Sequence, residues 1–169
     1  MQERLRWFAS RTRFGQELSI KRSLEQRGVE HFIPTKRTIV VRRGKERPAE
    51  VPLIRNLVFL RATKKTALSL ANEYSIPLHF IIDRVSKTLL VVPDKQMEDF
   101  MRVLDMSKDE GGLVDSPVVP GDKVRVTKGD LAGVEGNVLE TSDSTYIVVT
   151  LFDFLQAKAH IPRAWLEKI

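Results

Sequence analysis

Apolar residues recur along this chain with two different spacings, and the changes of spacing mark out the elements. LRWFASR (5–11) reads as a short strand. GQELSIKRSLEQRG (15–28) reads as a helix: Ile20 and Leu24 share a face, Glu17 and Lys21 form an i,i+4 pair, and Gly28 suits the C-terminal cap. HFIPTKRTIVV (31–41) and VPLIRNLVFLRA (51–62) read as strands flanking a basic turn, RRGKERP (42–48). Thr63 is placed to cap a helix whose inner face is Ala67, Leu70, Ala71 and Tyr74. PLHFII (77–82) and KTLLVV (87–92) are short strands about a turn at Asp83. PDKQMEDFMRVL (93–104) repeats the helical spacing through Met97, Phe100, Met101 and Leu104, with acids in its first turn.

The periodicity then stops. Residues 105–118 are acidic, carry Gly111-Gly112 and show neither helical nor strand spacing, as a flexible linker would. After it every run alternates: Val124 and Val126, then Val134, Gly136 and Val138, then YIVVTLF (146–152). The expected fold class is therefore α+β. An antiparallel sheet with helices mainly on one face, ferredoxin-like in its βαββαβα order, occupies 1–104. A linker follows at 105–118, and a small closed all-β barrel occupies 119–169.

Composition narrows what such a chain can do. It holds no cysteine, which excludes disulfides and thiolate metal sites and fits a cytoplasmic location. His31, His79 and His160 are scattered without metal-site spacing, no apolar run spans a membrane, and no signal core opens the chain. No nucleophile, base and metal set assembles, so no enzyme activity, cofactor or metal is expected. The formal charge of +6 is divided unevenly. Residues 1–104 hold 21 Lys and Arg against 11 Asp and Glu, whereas 105–169 hold 7 against 11. The first part suits a polyanion and the second does not.

The densest motif is PGDKVRVTKGDLAGVEGNV (120–138). It lacks the GxxxxGK[ST] of a phosphate loop, and Gly133-Val134-Glu135-Gly136 sits between strands where a nucleic-acid GxxG clamp joins helices. Turn chemistry remains: Gly129 and Gly133 at a hairpin connection, and Gly136 at a crowded strand position. The pattern Gly121, Asp122, Val124, Arg125, Val126, Gly129, Gly133, Gly136, Val138 resembles the KOW motif, whose fold is a barrel of the Src-homology-3 kind.

Trp7-Phe8, Gly15 before a helix, Phe32-Ile33-Pro34-Thr35, Arg42-Arg43-Gly44-Lys45 and Pro52-Leu53-Ile54 leading into Asn56-Leu57-Val58-Phe59 resemble the NusG N-terminal domain. With the KOW pattern, the resemblance covers nearly the whole chain. LLVVPDKQMEDF (89–100) and IPLHFI draw it towards specialised paralogues of the UpxY and RfaH kind, UpxY proteins being antiterminators of surface-polysaccharide operons. The resemblance implies an N-terminal domain that lays an apolar depression on the clamp helices of the largest RNA polymerase subunit. The matching positions are Ile54, Leu57, Phe59 and Phe100, each either exposed partner surface or ordinary interior. Ile54 and Phe59 have opposite strand parity, so a regular strand would not bury both on one face. Three departures stand out: Arg55-Asn56 stands where relatives often have Pro-Gly or Pro-Asn before the third strand, Arg11 replaces an aromatic of the RfaH depression, and Leu68-Ser69-Leu70-Ala71 replaces its histidine-threonine run.

Arg11, Arg13, Lys21, Arg22, Arg42, Arg43, Lys45 and Arg47 are candidates to face upstream DNA or the displaced non-template strand, through salt-dependent contacts. In the barrel, Phe152 matches a phenylalanine that KOW domains of this type present to a small-subunit ribosomal protein or to Rho, with Phe154 as a helper. Parity places Ile147, Val149 and Leu151 on one face and Tyr146, Val148 and Phe152 on the other. The strong strand preference of 146–150 implies a barrel without the helical alternative of RfaH. The expected function is processive, antiterminated transcription, with no membrane partner. The rivals are a ribosome-associated RNA-binding KOW protein and a general housekeeping NusG.

Overall fold

A computed structural model describes residues 3–107, 112–114, 119, 121–152 and 155–169. The chain forms two compact units, Met1–Val92 and Pro93–Ile169. Among the described residues no helix is long and apolar enough to cross a membrane.

The first unit is built on β1 (Arg6–Arg11), which pairs antiparallel with β5 (Leu57–Ala62) along its whole length. β2 (Glu30–Phe32) borders β5. The other edge of β1 is shared by two short strands, β6 (His79–Phe80) at Ser10–Arg11 and β7 (Val91–Val92) at Trp7–Phe8. They flank a tight turn in which Asp83 Oδ1 accepts the Val85 amide at 2.8 Å. Helices α1 (Glu17–Gln26) and α2 (Lys64–Asn72) cover one sheet face, so that Phe8, Val58, Leu60 and Ala62 pack with Ile20, Leu24, Ala67 and Leu70. Thr63 caps α2 as its type dictates, its hydroxyl accepting the Thr66 amide at 3.1 Å. Tyr74 lies beyond the helix end, exposed, under the Arg27 guanidinium.

The expected basic turn at 42–48 is much tighter in fact. β3 (Thr35–Arg42) and β4 (Lys45–Pro52) form a separate eight-pair ribbon that turns at Arg43 and Gly44 alone, both with positive φ (53° and 74°). Such a two-residue turn matches the twist of the flanking strands. Pro48 lies within β4, where a two-stranded ribbon leaves room for a residue without an amide proton.

The second unit begins with α3 (Asp94–Met106), which was expected to belong to the N-terminal domain. Its strands β8 (Lys123–Val126), β9 (Glu135–Glu140), β10 (Thr145–Leu151), β11 (Leu155–His160) and β12 (Leu166–Lys168) form one antiparallel sheet in the order β11-β10-β9-β8-β12. Among the described residues no ladder joins β11 to β12, so the expected closed barrel is not found as a ring of hydrogen bonds. The outer edge of β11 is instead engaged by residues 112–114: the Val114 amide reaches the Gln156 carbonyl at 3.0 Å, and the Lys158 amide reaches that of Gly112 at 2.8 Å. The glycines of 129–136 act as turn chemistry, Gly129 and Gly133 at φ 81° and 91°. A Cβ on Gly136 would collide with the Val148 carbonyl across the β9–β10 pairing.

Candidate functional site

Leu57 and Phe59 project from β5 on the face away from α1 and α2. Phe59 lies opposite Ala9 in β1 and opposite Phe32 in β2, with the two phenylalanine rings 6.3 Å apart. Trp7 and Ala9 have the same parity in β1, and this second apolar face is buried as thoroughly as the first. Phe59 is 0% exposed, Leu57 and Ile54 each 5%, and Phe100 0%. The expectation of an open hydrophobic depression is therefore not met in this conformation. The parity argument separating Ile54 from Phe59 fails for a local reason. The strand begins only at Leu57, after a turn through Asn56 at φ 61°, so Ile54 is not on its alternation. That turn is fixed by Glu17, whose buried carboxylate accepts the Asn56 amide at 3.0 Å.

The basic candidates fall into three places. Arg11 and Arg13 stand exposed at the end of β1 and just beyond. Lys21 and Arg22 lie on α1, where Lys21 approaches Glu50 of β4 at 4.0 Å and not Glu17. Arg42, Arg43, Lys45 and Arg47 crowd the outer half of the ribbon. Lys36, Arg37 and Arg55 belong with them but were not singled out by sequence; the signal was the basic, alternating composition of 35–42. The ribbon thus carries six cations against Glu46 and Glu50.

In the second unit, α3 turns a polar stripe towards the strands. Lys95 Nζ donates to the Gly133 carbonyl at 2.7 Å and to Asp99 Oδ1 at 2.9 Å. Asp99 Oδ2 accepts the Glu135 amide at 3.1 Å, and Gln96 Nε2 donates to the Thr150 carbonyl at 2.7 Å. Arg102 Nη2 donates to the carbonyls of Asp130 and Ala132 at 2.8 and 2.9 Å. The glycine-rich loop is therefore a set of carbonyl acceptors for cations of α3. With α3 against β10, that strand is buried on both faces at Ile147, Val148 and Val149, contrary to the one-sided parity expected.

Phe152 is half-buried and lines a cleft of about 570 Å³ with Pro93, Gln96 and Val149. Its parity could not be read from β10, because the strand stops at Leu151 and Phe152 has φ 57°. Phe154 lies outside the described residues. Beside the cleft, Arg125 donates to Glu135 Oε1 at 2.8 Å. That hydrogen bond holds the Glu135 carboxyl below its ordinary value and raises Arg125 above its own.

No curated protein matches the chain. A family model described as transcription termination factor NusG matches residues 5–101, which take in the whole β1–β7 sheet, the ribbon and the first two turns of α3. The match ends inside α3, so the family domain extends beyond the compact unit that closes at Val92. The match spans more than half of the chain, which therefore belongs to the NusG family of transcription factors.

Proposed function

We propose that the chain is a bacterial elongation factor that binds RNA polymerase and promotes processive, antiterminated transcription. The observation that carries this reading is the family match over 5–101. In this account Ile54, Leu57, Phe59 and Phe100 supply apolar contact to the clamp helices of the largest polymerase subunit. An apolar surface receiving helices, with aromatic anchors, is a recurrent recognition mode. These side chains are shut away from water in the structure, so docking through them requires that they first be uncovered. Arg11, Arg13, Lys21, Arg22 and the cations of the ribbon face upstream or non-template DNA. The net-acidic C-terminal unit, a KOW domain by its motif, meets a small-subunit ribosomal protein or Rho through Phe152 and Phe154. The role is mechanical, without a chemical step, and cytoplasmic.

The resemblance of 89–100 to UpxY proteins favours an operon-specific antiterminator of surface-polysaccharide genes over a housekeeping factor. Affinity capture with the full chain tests the reading. Retention of polymerase subunits is expected, whereas retention of ribosomal RNA without polymerase would replace this reading with that of a ribosome-associated protein.

A further inference from the structure

We propose that the outer edge of β3 takes up an extended segment of a partner protein as an added antiparallel strand, apolar opposite Ile39 and Val41 and acidic opposite Lys36 and Arg42. Such a contact lies outside the polymerase and nucleic-acid roles given above and does not depend on them. The ladder of the ribbon determines which backbone groups face outward. The turn at Arg43 and Gly44 has Arg42 and Lys45 as its first and last residues, so the backbones of these two hydrogen-bond to each other. Antiparallel pairs then alternate between bonded and non-bonded. Arg37, Ile39 and Val41 therefore fall at non-bonded pairs and point their amides and carbonyls away from β4. The prolines of β4 agree: Pro48 and Pro52 stand opposite Ile39 and Thr35, where no inward amide is needed.

The two edges of the ribbon are consequently unequal. On β4 the prolines remove outward donors, a usual way of blunting an exposed strand edge. β3 carries no proline, and among the described residues no strand lies against its outer edge. Ile39 is 64% exposed and Val41 66%, two β-branched side chains standing in water on one face of that strand. An added strand would satisfy the outward amides and cover both side chains, the means by which extended peptides are recognised at sheet edges. Charge sets what that strand must carry. Lys36 and Arg42 lie towards the two ends of β3, on the face opposite Ile39, and neither has an ion-pair partner among the described residues. Arg42 also stands across from Lys45, a like-charge pair that a neighbouring carboxylate relieves. Two copies of β3 paired antiparallel about Ile39 would set Lys36 against Arg42, so a second copy is the poorer occupant. Lys45 and Arg47 belong to the other strand, which leaves their proposed nucleic-acid contacts in place.

The test is fluorescence anisotropy of a labelled heptapeptide, Glu-Val-Thr-Ile-Thr-Thr-Glu, blocked at both ends and titrated with the full chain at low salt. Binding is expected. Replacing both glutamates by glutamine should weaken it about fivefold, and the difference should fade as salt rises. A peptide N-methylated at its valine and isoleucine, whose amides would donate to β3, should lose about tenfold. One N-methylated at its first two threonines, whose amides point away, should bind like the parent. Ile39→Pro removes an outward donor while sparing the β3–β4 ladder, so affinity for the parent peptide should fall about fivefold. The methylated peptides, used with the wild-type chain, decide the matter should that variant fail to fold. No binding by the wild-type chain at low salt would overturn the proposal, as would equal affinity for the two methylated peptides or for the glutamine peptide. A dimer seen in sedimentation and dispersed by Ile39→Pro would replace the partner segment with a second copy. Displacement of the labelled peptide by oligothymidine at lower concentration than by unlabelled peptide would replace it with nucleic acid.

Discussion

Glu17 ties the start of α1 to a turn 39 residues away, and its neighbours show what single-residue reasoning reaches. Its spacing from Lys21 suggested a surface ion pair, yet the carboxylate is buried, with Oε2 on the Asn56 amide and Oε1 without a partner among the described residues. A pairing across 39 residues has no local signature, so only the packed structure could reveal it. Glu17→Ala is expected to cost about 1–3 kcal/mol, the usual penalty for leaving a buried donor unpaired; the shift in a urea unfolding midpoint measures it. Thr63, by contrast, was legible because a cap is local. Thr63→Ala should cost about 1 kcal/mol in the same experiment.

Glu135 offers a pH test at the same scale. The Arg125 hydrogen bond lowers its carboxyl below the ordinary value. A depressed acid contributes stability above its unfolded value and loses it as the pH falls through the folded one. The Glu135 carboxyl followed by NMR should therefore titrate below a free glutamate, and Arg125→Gln should move it back up. An unmoved midpoint would mean that the pair does not form in solution.

At the scale of elements, strands and helices declared themselves where the period was long and local. The positions of β1, α1, α2, α3 and β10 follow from apolar spacing and caps, and both α1 and α2 settle on one face of the sheet as that spacing required. The ribbon was missed as a ribbon because 42–48 is too polar to read as strand; only its Arg-Gly turn was visible. The surroundings of α3 were missed for a different reason. Lys95, Asp99 and Arg102 follow one another at i, i+4, i+7, which ordinarily marks a solvated face. Here that stripe is the contact, because the loop at 129–134 presents free carbonyls that only donors can satisfy. Asp99 is central to it, binding both Lys95 and the Glu135 amide while almost wholly buried. Asp99→Ala should cost about 2 kcal/mol by the value of charged hydrogen bonds. The loss should appear as earlier melting of the strands β8–β12, followed by amide exchange at Glu135.

For the molecule as a whole, the chain divides into two compact units, and the family match bears out the NusG assignment over 5–101. Contacts group α3 with the second compact unit, while the family match runs into α3 as far as residue 101. Burial of Leu57, Phe59 and Phe100 also lay beyond the sequence, since alternation places a residue on a sheet face without telling whether that face is covered. Terminator read-through by purified RNA polymerase, with and without the full chain, tests the central claim most directly. The account predicts that adding the chain raises the fraction of transcripts extending past the terminator. Read-through that stays level or falls, with the chain shown to be folded, would contradict it.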